Sequence, residues 1–456
     1  MNVLIFGLGL HGGGVGVANY FLKRGDSVTI TDLKIEKELK ISLEKLTHTE
    51  KLRLTLGKHD YRDIEQSDLI IKNPAVPWDS PFIKYAEKLS KPVDTDIGIF
   101  FDTIRSRTNN IVAVTGTRGK STTTSLIYEI LKKRYRNVSL AGNITISVFE
   151  IIDSIKKDGW VVLELSSFQL GGIKKKKYSP PYAIITNLYE DHLNYYRDMK
   201  SYFEDKKLIY QFQHPGDILV LNRENRIYKM VKPNKGVKLY SFGMKKDFKG
   251  YGIYFDETTI YFKDENGVKK IIEKSDIKLK GIHNLLNISA SVAMGLALSI
   301  DSKLINEAVS NFNGLEHRLE YICSINGVDV YNDSASTTPE ALISALESFR
   351  GKNITLLMGG TDKKLPLKRL INKLNNNSEI VNLILLEGSG TKRLIDEGLA
   401  RKFHVYNNLE KAVQMALSLS SPGMILLFSP AFASFEMFQN EFDRGKKFKE
   451  LINSQL

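Results

Sequence analysis

The stretch Thr115-Gly-Thr-Arg-Gly-Lys-Ser-Thr122 is the most informative part of this sequence. It follows a short apolar run at residues 111–114 and precedes a helical pattern that continues to about residue 132. A glycine-rich turn between a strand and a helix is typical of loops whose backbone amides bind phosphate groups. Two residues separate the two glycines here, where the general P-loop has four. A chance glycine-rich turn is the alternative.

The residue types in this loop predict binding of ATP with Mg²⁺. Lys120 can reach the β and γ phosphate oxygens, and the Ser121 hydroxyl can coordinate Mg²⁺. The residues of the loop predicted to bind ATP are Gly116, Thr117, Arg118, Gly119, Lys120, Ser121 and Thr122.

A second glycine motif, Gly7-Leu-Gly-Leu-His-Gly12, also lies between a predicted strand and a predicted helix. Asp32 follows twenty residues later, at the end of the next strand, as in the dinucleotide-binding fingerprint. Taken alone, this motif favours NAD(P). Its physical content is broader, because glycines allow any nucleotide diphosphate to approach a helix N-terminus. A tight turn without a ligand is the third interpretation.

The length and composition of the chain restrict the class of protein to which it can belong. The chain has 456 residues, of which 42% are hydrophobic and 26% charged, which predicts a globular protein of about three domains. Its net charge of +13 fits nucleic acid, a membrane surface or polyphosphorylated substrates, and equally a lysine-rich composition without a function. Cys323 is the single cysteine, so the chain can form no internal disulfide and no cysteine-based zinc site. The absence of a leader or apolar span predicts a soluble cytoplasmic protein.

Apolar runs alternate with helical patterns along the whole chain and predict an α/β fold in three domains. We expect a Rossmann-like domain at 1–98, a central P-loop domain at 99–314 and a second Rossmann-like domain at 315–456, with boundaries near Gly98 and Gly314. The central sheet is predicted to be mostly parallel. Residues 237–273 are rich in strand patterns and have a hairpin turn at 264–267, which predicts an antiparallel addition.

The short phosphate loop resembles the ATP loop of the Mur ligases, and further motifs follow in that family's order through all three predicted domains. These motifs are Gly142-Asn-Ile144, Glu164-Leu-Ser-Ser-Phe-Gln169, Thr186-Asn187, Asp191-His192, His283-Asn284, Asn287, His317-Arg318, Asn332-Asp-Ser334 and Ser429-Pro-Ala-Phe-Ala-Ser434. Within the family, the motifs at 164–169 and 429–434 are most like those of the branch that adds D-glutamate to UDP-N-acetylmuramoyl-L-alanine. The resemblance therefore implies UDP, and not a nicotinamide, at the first glycine motif.

The resemblance implies an ATP-dependent ligase of peptidoglycan precursor synthesis, with ATP, the nucleotide sugar and D-glutamate as its small-molecule substrates. We expect no nucleic-acid or membrane partner and a monomeric enzyme. The implied catalytic residues are Lys120, His192, Lys206 and Arg318. The implied ligands of two Mg²⁺ ions are Ser121, Glu164, His192 and Lys206. Further implied ATP contacts are Asn284, Asn287, Arg318 and Asp333. The implied nucleotide-sugar contacts are Leu10, His11, Asn143, Ser166 and Gln169, and the implied amino-acid contacts are Thr337, Lys363 and Ser434 at the start of the last helix.

The required chemistry gives independent reasons for some of these residues. Joining a carboxylate to an amine is uphill, and transfer of the γ-phosphoryl group of ATP makes the carboxylate an acyl phosphate. Such a transfer between anions needs metal ions and cations. Glu164, at a strand end beside the phosphate loop, is a suitable hard ligand for Mg²⁺, with a surface carboxylate as the alternative.

Lys206 is predicted to carry a carbamate formed from CO₂. A helical pattern places it with Tyr202, Ile209 and Tyr210 on a buried stripe, whereas Lys207 lies about 100° around the helix. Burial lowers the pKa of a lysine, and the neutral amine can add CO₂ and become an anion that suits Mg²⁺. The resemblance points to the same lysine; a solvated surface lysine is the alternative.

Two departures from the family pattern concern the amino-acid site. Ala335 stands where the family commonly has a lysine, and Asn440-Glu-Phe-Asp-Arg-Gly445 differs from the usual C-terminal motif. A related ligase with another acceptor, such as L-glutamate, is therefore the nearest alternative. An NAD-dependent oxidoreductase leaves Lys120, Glu164 and His192 without a role. A nucleic-acid-binding ATPase would explain the charge but lacks a recognition motif.

Overall fold

The alternating apolar runs and helices form three β-sheets in the computed structural model of the chain, which describes residues 1–9, 12–144, 146–191, 195–279 and 281–455. Most strand pairs are parallel, so the predicted α/β fold class is confirmed. No helix in these ranges is long and apolar enough to cross a membrane.

The first sheet consists of β1 (Asn2–Phe6), β2 (Ser27–Asp32), β3 (Leu52–Leu56), β4 (Leu69–Lys72) and β5 (Val93–Asp94). Its helices are α1 (Gly13–Lys23), α2 (Glu36–Leu43), α3 (Tyr61–Glu65), α4 (Pro81–Lys88) and α5 (Asp96–Ile104). The strands are parallel in the order β3-β2-β1-β4-β5. The order reverses between β1 and β4, and ligands of open α/β sheets bind outside the carboxyl ends of the strands at such a point. The first glycine motif follows β1 and lies at this position.

The second sheet consists of β6 (Ile111–Thr115), β7 (Val138–Gly142), β8 (Trp160–Glu164), β9 (Tyr182–Ile185), β10 (Ile218–Asn222), β11 (Lys238–Gly243), β12 (Tyr251–Phe255), β13 (Thr259–Asp264) and β14 (Gly267–Glu273). Its helices are α6 (Lys120–Arg134), α7 (Val148–Ile151), α8 (Ser167–Gly172), α9 (Met199–Lys207), α10 (Ile227–Met230), α11 (Ile282–Ala297) and α12 (Ser302–Asn311). The strand order is β14-β13-β12-β11-β10-β9-β6-β8-β7.

The predicted antiparallel addition at 237–273 is only partly correct. β13 is antiparallel to both β12 and β14, and β13 and β14 are joined at the predicted hairpin turn. β11 and β12, however, pair in parallel with each other, and β11 pairs in parallel with β10. The prediction is wrong for β11 and for its pairing with β12, because residues 244–250 carry the chain back along the sheet instead of forming a hairpin.

The third sheet consists of β15 (Glu320–Ile325), β16 (Val328–Asn332), β17 (Ile354–Gly359), β18 (Ile380–Leu386), β19 (His404–Tyr406) and β20 (Ile425–Phe428). Its helices are α13 (Pro339–Glu347), α14 (Lys368–Asn376), α15 (Ser389–Asp396), α16 (Leu409–Leu419) and α17 (Glu441–Asn453). The order is β15-β16-β20-β17-β18-β19, and only the pair β15–β16 is antiparallel among the described strands of this sheet. Buried apolar side chains cover both of its faces.

The first two sheets share one hydrophobic core, which extends from Val3 in β1 to Leu221 in β10 and beyond. Helices α1 and α5 of the first sheet pack on α7 and α8 of the second. The approach is close, because a Cβ added at Gly16 would overlap the Ser147 side chain and one added at Gly172 would lie 2.7 Å from Thr95 Oγ1. Residues 1–278 and 283–312 accordingly form one compact unit, and residues 279–282 and 313–456 form the other. Gly98 lies within α5, and the predicted domain boundaries stay a prediction.

Candidate active site

Steric constraints require glycine at both glycine positions of the phosphate loop. Gly116 has φ 153° and Gly119 has φ 79°, values that L side chains rarely adopt. A Cβ at Gly116 would overlap Thr186 Oγ1, and one at Gly119 would overlap Asn287 Oδ1. The loop between β6 and α6 is thus packed tightly against the end of β9 and against α11.

Side chains that follow β9 hold the backbone of the loop. The Arg118 carbonyl accepts hydrogen bonds from Thr186 Oγ1 at 2.6 Å and from Asn187 Nδ2 at 3.0 Å, and the Arg118 N–H donates to Asn187 Oδ1 at 2.9 Å. Lys120 Nζ donates to the Thr117 carbonyl at 3.1 Å. The first amides of helix α6, beginning at Lys120, remain without helical acceptors, and such amides bind phosphate groups.

Glu164 lies at the carboxyl end of β8, in register with Val114 of the adjacent β6. The side chain is 1% exposed, so the alternative of a surface carboxylate is wrong. Oε1 accepts a hydrogen bond from Asn143 Nδ2 at 2.8 Å, whereas Oε2 is buried and has no hydrogen-bond partner among the described residues. A buried carboxylate oxygen without a donor is costly, and a divalent cation is a ligand that would satisfy it. The donor set therefore fits Mg²⁺.

Lys206 on α9 is buried, with 1% of its surface exposed, as the helical pattern predicts. Its Nζ donates to the Gly116 carbonyl at 2.9 Å and to Thr115 Oγ1 at 3.4 Å, directly beneath the phosphate loop. Nζ also lies 4.7 Å from the centre of the Tyr202 ring. Burial, and next the positive charge of Lys120, hold the pKa of Lys206 well below its usual range. A solvated lysine is therefore the wrong description of this residue.

The neighbouring Lys207 provides the contrast that the pattern predicts. Its side chain is 33% exposed and forms an ion pair with Glu204, at 3.6 Å. Helix α9 ends at Lys207, so the predicted extension of the helix through Ile209 and Tyr210 is wrong, although both of these residues are buried.

Three predicted site residues, Leu10, His11 and His192, lie outside the described residues. Asp191, immediately before His192, is described, and its negative charge favours the protonated form of Lys206. Within the described part of the chain, no group of three or more His, Cys, Asp or Glu side chains could hold a metal ion. The predicted ligand set is of another kind, with one carboxylate, one hydroxyl, a histidine and a modified lysine.

The predicted nucleotide-sugar contacts after β7 and β8 have structural roles. Ser166 is the N-cap of α8, where its Oγ accepts from the Gln169 N–H at 3.2 Å and its N–H donates to Gln169 Oε1 at 3.1 Å, forming a capping box. The Asn143 N–H donates to the Glu164 carbonyl at 2.8 Å. These bonds fix the three side chains at the same edge of the second sheet.

The first glycine loop is held by Asp32 and by a residue that the sequence analysis missed. Asp32 Oδ2 accepts from the Gly9 N–H at 3.2 Å, and its Oδ1 accepts from the Lys34 N–H at 2.9 Å. Asn73 Nδ2 donates to the Gly7 carbonyl at 3.3 Å, and the Asn73 side chain fills the space beside both Gly7 and Gly9. Asp32 thus stabilises the loop itself.

Lys72, the last residue of β4, is a second residue that the sequence analysis missed. It is 2% exposed, and its Nζ donates to the Val76 carbonyl at 2.7 Å and lies 4.7 Å from the centre of the Trp78 ring. Burial lowers the pKa of Lys72 to about 8, against the opposing charges of Asp96 and then Asp205. A charged residue ending an apolar strand run was the signal for it, since strand ends carry the ligand sites of parallel sheets.

On α11, Asn284 and Asn287 are both buried and joined by a hydrogen bond of 3.4 Å from Asn287 Nδ2 to Asn284 Oδ1. Asn287 faces Gly119, as described above, so this asparagine lies at the phosphate loop. Both positions are compatible with the predicted ATP contacts, which stay a prediction.

In the other compact unit, the predicted amino-acid contacts lie at the carboxyl edge of the third sheet. Lys363 Nζ donates to Thr337 Oγ1 at 2.8 Å. Ser434 is 3% exposed, and its Oγ has no hydrogen-bond partner among the described residues. The prediction that Ser434 begins the last helix is wrong: α17 begins at Glu441, because Asn440 caps it by accepting from the N–H groups of the next residues.

Asp333 of the same unit is buried, and its carboxylate is fully hydrogen-bonded. Oδ2 accepts from Ser336 Oγ at 2.5 Å and from Ser429 Oγ at 2.7 Å, and Oδ1 accepts from the Leu319 N–H at 3.1 Å. Burial raises the pKa of Asp333 to about 6, against these hydrogen bonds and the charge of Arg318. The predicted contacts of Arg318 and Asp333 with ATP stay a prediction.

Arg444 is the third residue that the sequence analysis missed. It is 1% exposed and makes four hydrogen bonds: Nε to Ser334 Oγ, Nη2 to the Ser334 carbonyl, and Nη1 to the carbonyls of Phe432 and Ala433, all between 2.8 and 3.2 Å. One buried guanidinium thus joins the loops that carry Thr337 and Ser434, two of the three predicted amino-acid contacts.

Three family models match the chain: the MurD-like N-terminal domain over residues 1–94, the Mur ligase middle domain over 114–295 and the Mur ligase glutamate ligase domain over 317–432. These three matches together cover most of the chain, and the middle one includes the phosphate loop. The chain belongs to the Mur ligase family.

Individual members of the family resemble this chain over nearly its full length. The UDP-N-acetylmuramoylalanine--D-glutamate ligase of Borreliella burgdorferi is 38% identical to this chain, covering 100% of it and 98% of that protein. The ligase of the same name from a Roseiflexus species is 35% identical, covering 99% of this chain and 98% of that protein. Among solved structures, UDP-N-acetylmuramate-alanine ligase of Thermotoga maritima has a TM-score of 0.62 at 21% identity, covering 100% of both chains. This last similarity concerns the fold.

Proposed function

We propose that this chain is a ligase that adds D-glutamate to UDP-N-acetylmuramoyl-L-alanine, with conversion of ATP to ADP and phosphate, in cytoplasmic peptidoglycan precursor synthesis. The observation that carries the choice of substrates is the similarity to D-glutamate ligases over 98–100% of both chains. The clamped phosphate loop supports the use of ATP, because its first helical amides and Lys120 suit a polyphosphate.

The proposed reaction has two stages, formation of an acyl phosphate and formation of the amide. First, a carboxylate oxygen of the nucleotide sugar bonds to the γ-phosphorus of ATP while the bond from that phosphorus to the β–γ bridging oxygen breaks, and ADP leaves. Second, the amine of D-glutamate attacks the acyl carbon; the tetrahedral intermediate collapses to the amide, phosphate leaves and the amine loses a proton. Lys120 and the helix amides stabilise the negative charge on the phosphates in the first stage.

Ser121 and Glu164 are proposed to hold one Mg²⁺, and His192 and a modified Lys206 a second. Metal ions at these positions would neutralise charge on the transferring phosphoryl group. The buried, unpartnered Oε2 of Glu164 supports the first assignment.

The modification of Lys206 is a carbamate: the neutral amine bonds to the carbon of CO₂ and loses one proton, which leaves an anion. Its support is geometric. Lys206 is buried beneath the loop, its described hydrogen-bond partners are a carbonyl and a hydroxyl, and burial favours the neutral amine that reacts.

UDP, and not NAD, is the proposed ligand of the first glycine motif. Asp32 supports this choice, since its carboxylate holds the N–H groups of Gly9 and Lys34 and is thereby engaged within the loop. Leu10, His11, Asn143, Ser166 and Gln169 are proposed to complete the nucleotide-sugar site.

Thr337, Lys363 and Ser434 are proposed to bind the amino acid. A lysine cation and a buried hydroxyl without a partner among the described residues suit a dicarboxylate. Asn284, Asn287, Arg318 and Asp333 are proposed to complete the ATP site. We further propose that the enzyme acts as a cytoplasmic monomer, which light scattering of the purified protein tests.

An ADP-release assay with UDP-N-acetylmuramoyl-L-alanine and a panel of amino acids tests the proposed function. We expect ADP release to require both the nucleotide sugar and D-glutamate, and to be abolished in Lys120→Ala. Preference for L-glutamate or another amino acid would refute the assignment of the acceptor. Stoichiometric binding of NADH with turnover independent of ATP would refute the ligase.

A pair of adjacent lysines tests the carbamate. Lys206→Ala should be nearly inactive and partly rescued by millimolar acetate, because a short carboxylate can replace the lost anion. Lys207→Ala is the matched control and should retain most activity, since the described contact of the Lys207 side chain is a surface ion pair with Glu204. An active Lys206→Ala enzyme would contradict the carbamate.

A further inference from the structure

Arg118 is a cation on the phosphate loop that no carboxylate of the described residues neutralises. Its backbone is clamped by Thr186 and Asn187, yet its side chain is exposed, and no described carboxylate forms an ion pair with it. The guanidinium instead lies 5.7 Å from the centre of the Tyr189 ring. A fixed backbone with a cationic side chain that forms no described ion pair is a suitable arrangement for a group that moves to a ligand of the loop.

Tyr189 is held beside the loop by its own backbone. The Tyr189 N–H donates to Thr117 Oγ1 at 3.0 Å, and Thr117 Oγ1 lies 3.3 Å from the Tyr189 carbonyl oxygen. The ring itself is 47% exposed. The aromatic ring is therefore held beside the phosphate loop, and an arginine resting on it stays next to the loop.

The two interactions available to the guanidinium differ in strength. A cation over an exposed ring at 5.7 Å is near the outer limit for such contacts and is weak. A guanidinium can instead bind two phosphate oxygens with two parallel hydrogen bonds, a geometry that a lysine cannot provide. ATP would therefore draw Arg118 away from Tyr189.

We propose that Arg118 is a catalytic residue of phosphoryl transfer, held on the Tyr189 ring at rest and bound to the γ-phosphoryl oxygens when ATP is present. This inference rests on the proposed function and deepens it. As the carboxylate oxygen bonds to the γ-phosphorus and the bridging oxygen departs with ADP, Arg118 stabilises the charge on the non-bridging oxygens. It transfers no proton. Lys120 acts from the helix side of the same loop.

Nucleotide binding separates this role from a structural one. We expect Arg118→Gln to bind a non-hydrolysable ATP analogue with Mg²⁺ at least tenfold more weakly, and to bind ADP within twofold of the unaltered enzyme, because ADP lacks the γ-phosphoryl group. kcat should fall about 100-fold, as expected for loss of one such donor. Arg118→Lys should recover part of kcat, since it keeps the charge but not the bidentate geometry.

Arg105 offers a matched control in the same compact unit. Its guanidinium lies 4.8 Å from the centre of the Tyr178 ring and is exposed, but Arg105 precedes β6, whereas the phosphate loop follows the other end of that strand. Arg105→Gln should leave kcat and both nucleotide affinities unchanged. Tyr189→Leu should strengthen binding of the ATP analogue about two- to fivefold, because the resting contact no longer competes.

Three results would overturn the proposal: equal weakening of ADP and ATP-analogue binding in Arg118→Gln, a kcat within threefold of the unaltered enzyme, or a loss of analogue affinity in Tyr189→Leu as large as in Arg118→Gln. The binding measurements need no amino acid or nucleotide sugar. They consequently remain informative if the D-glutamate assignment fails.

Discussion

Replacing Arg444 by methionine should destabilise the compact unit that contains the third sheet. Methionine keeps an apolar stem of similar length but supplies none of the four hydrogen bonds that the guanidinium donates. The carbonyl oxygens of Ser334 and Phe432 would then be left buried without this donor, in a region where the arginine itself is 1% exposed, whereas the Ala433 carbonyl keeps the Thr361 N–H at 2.8 Å.

The expected magnitude follows from the number of acceptors that lose their donor. A buried acceptor left unsatisfied costs about 1–3 kcal/mol, and loss of a buried charged partner typically costs about 3–5 kcal/mol in total. We therefore expect a loss of about 4 kcal/mol. For a unit of this size, that corresponds to a fall in Tm of about 8–16 °C.

Calorimetry of the full chain measures this loss as a shift of the unfolding transition assigned to residues 313–456. Lys446→Met is the matched control on the same helix, since Lys446 is 75% exposed and its ion pair with Glu450 spans 3.9 Å. The KM for D-glutamate should also rise in Arg444→Met, because the arginine fixes the loops that precede Thr337 and Ser434. A Tm within 2 °C of the control would refute the reasoning.

Two further predictions concern the acceptor site and the first sheet. Ala335→Lys should lower the KM for D-glutamate about tenfold or more, since a charge-assisted hydrogen bond contributes about 1.5–3 kcal/mol; an unchanged KM in initial-rate kinetics would show that Lys363 already supplies the charge. Burial raises the pKa of Asp96 to about 6, against the Ile97 N–H and the charge of Lys72. The unfolded carboxyl has a pKa of about 3.9, so the native Asp96 binds its proton more tightly than the unfolded one. The stability that this protonation contributes is therefore lost as pH rises from about 4 to about 6. Asp96→Asn should remove that loss, and Tm values at stepped pH that run parallel in the two proteins would contradict it.

The sequence predicted the parts of the structure that depend on local pattern. Long apolar runs became strands, the glycines at 116 and 119 formed the loop between β6 and α6, and the spacing of Tyr202 and Lys206 placed the lysine inside. These predictions succeed because strand and helix periodicity and glycine geometry are properties of short segments. The short strands β5 and β19, with two and three residues, have too little sequence for a pattern.

Other features depend on neighbours that are distant in sequence. Nothing near Arg444 shows that it will lie against Ser334, 110 residues earlier, although the Asn440 cap three residues before Asp443 was a usable signal for the start of α17. The parallel pairing of β11 with β12 likewise follows from the path of the connecting segment. Lys72 is buried because Trp78 and the loop after β4 close over it, which only the folded chain reveals.

The shared core of the first two sheets defines which segments of this enzyme can be exchanged or expressed alone. A cut at Gly98 would divide α5 and expose Phe100 and Phe101, both fully buried against the second sheet's helices. The ion pairs of Lys175 with Glu87 and of Lys176 with Asp94, at 2.6 and 2.5 Å, would be lost with it. A chimera that borrows the nucleotide-sugar specificity of another ligase should therefore transplant residues 1–312 together. In this protein, the segment that can be exchanged as a unit is larger than the N-terminal domain that the family model matches over residues 1–94.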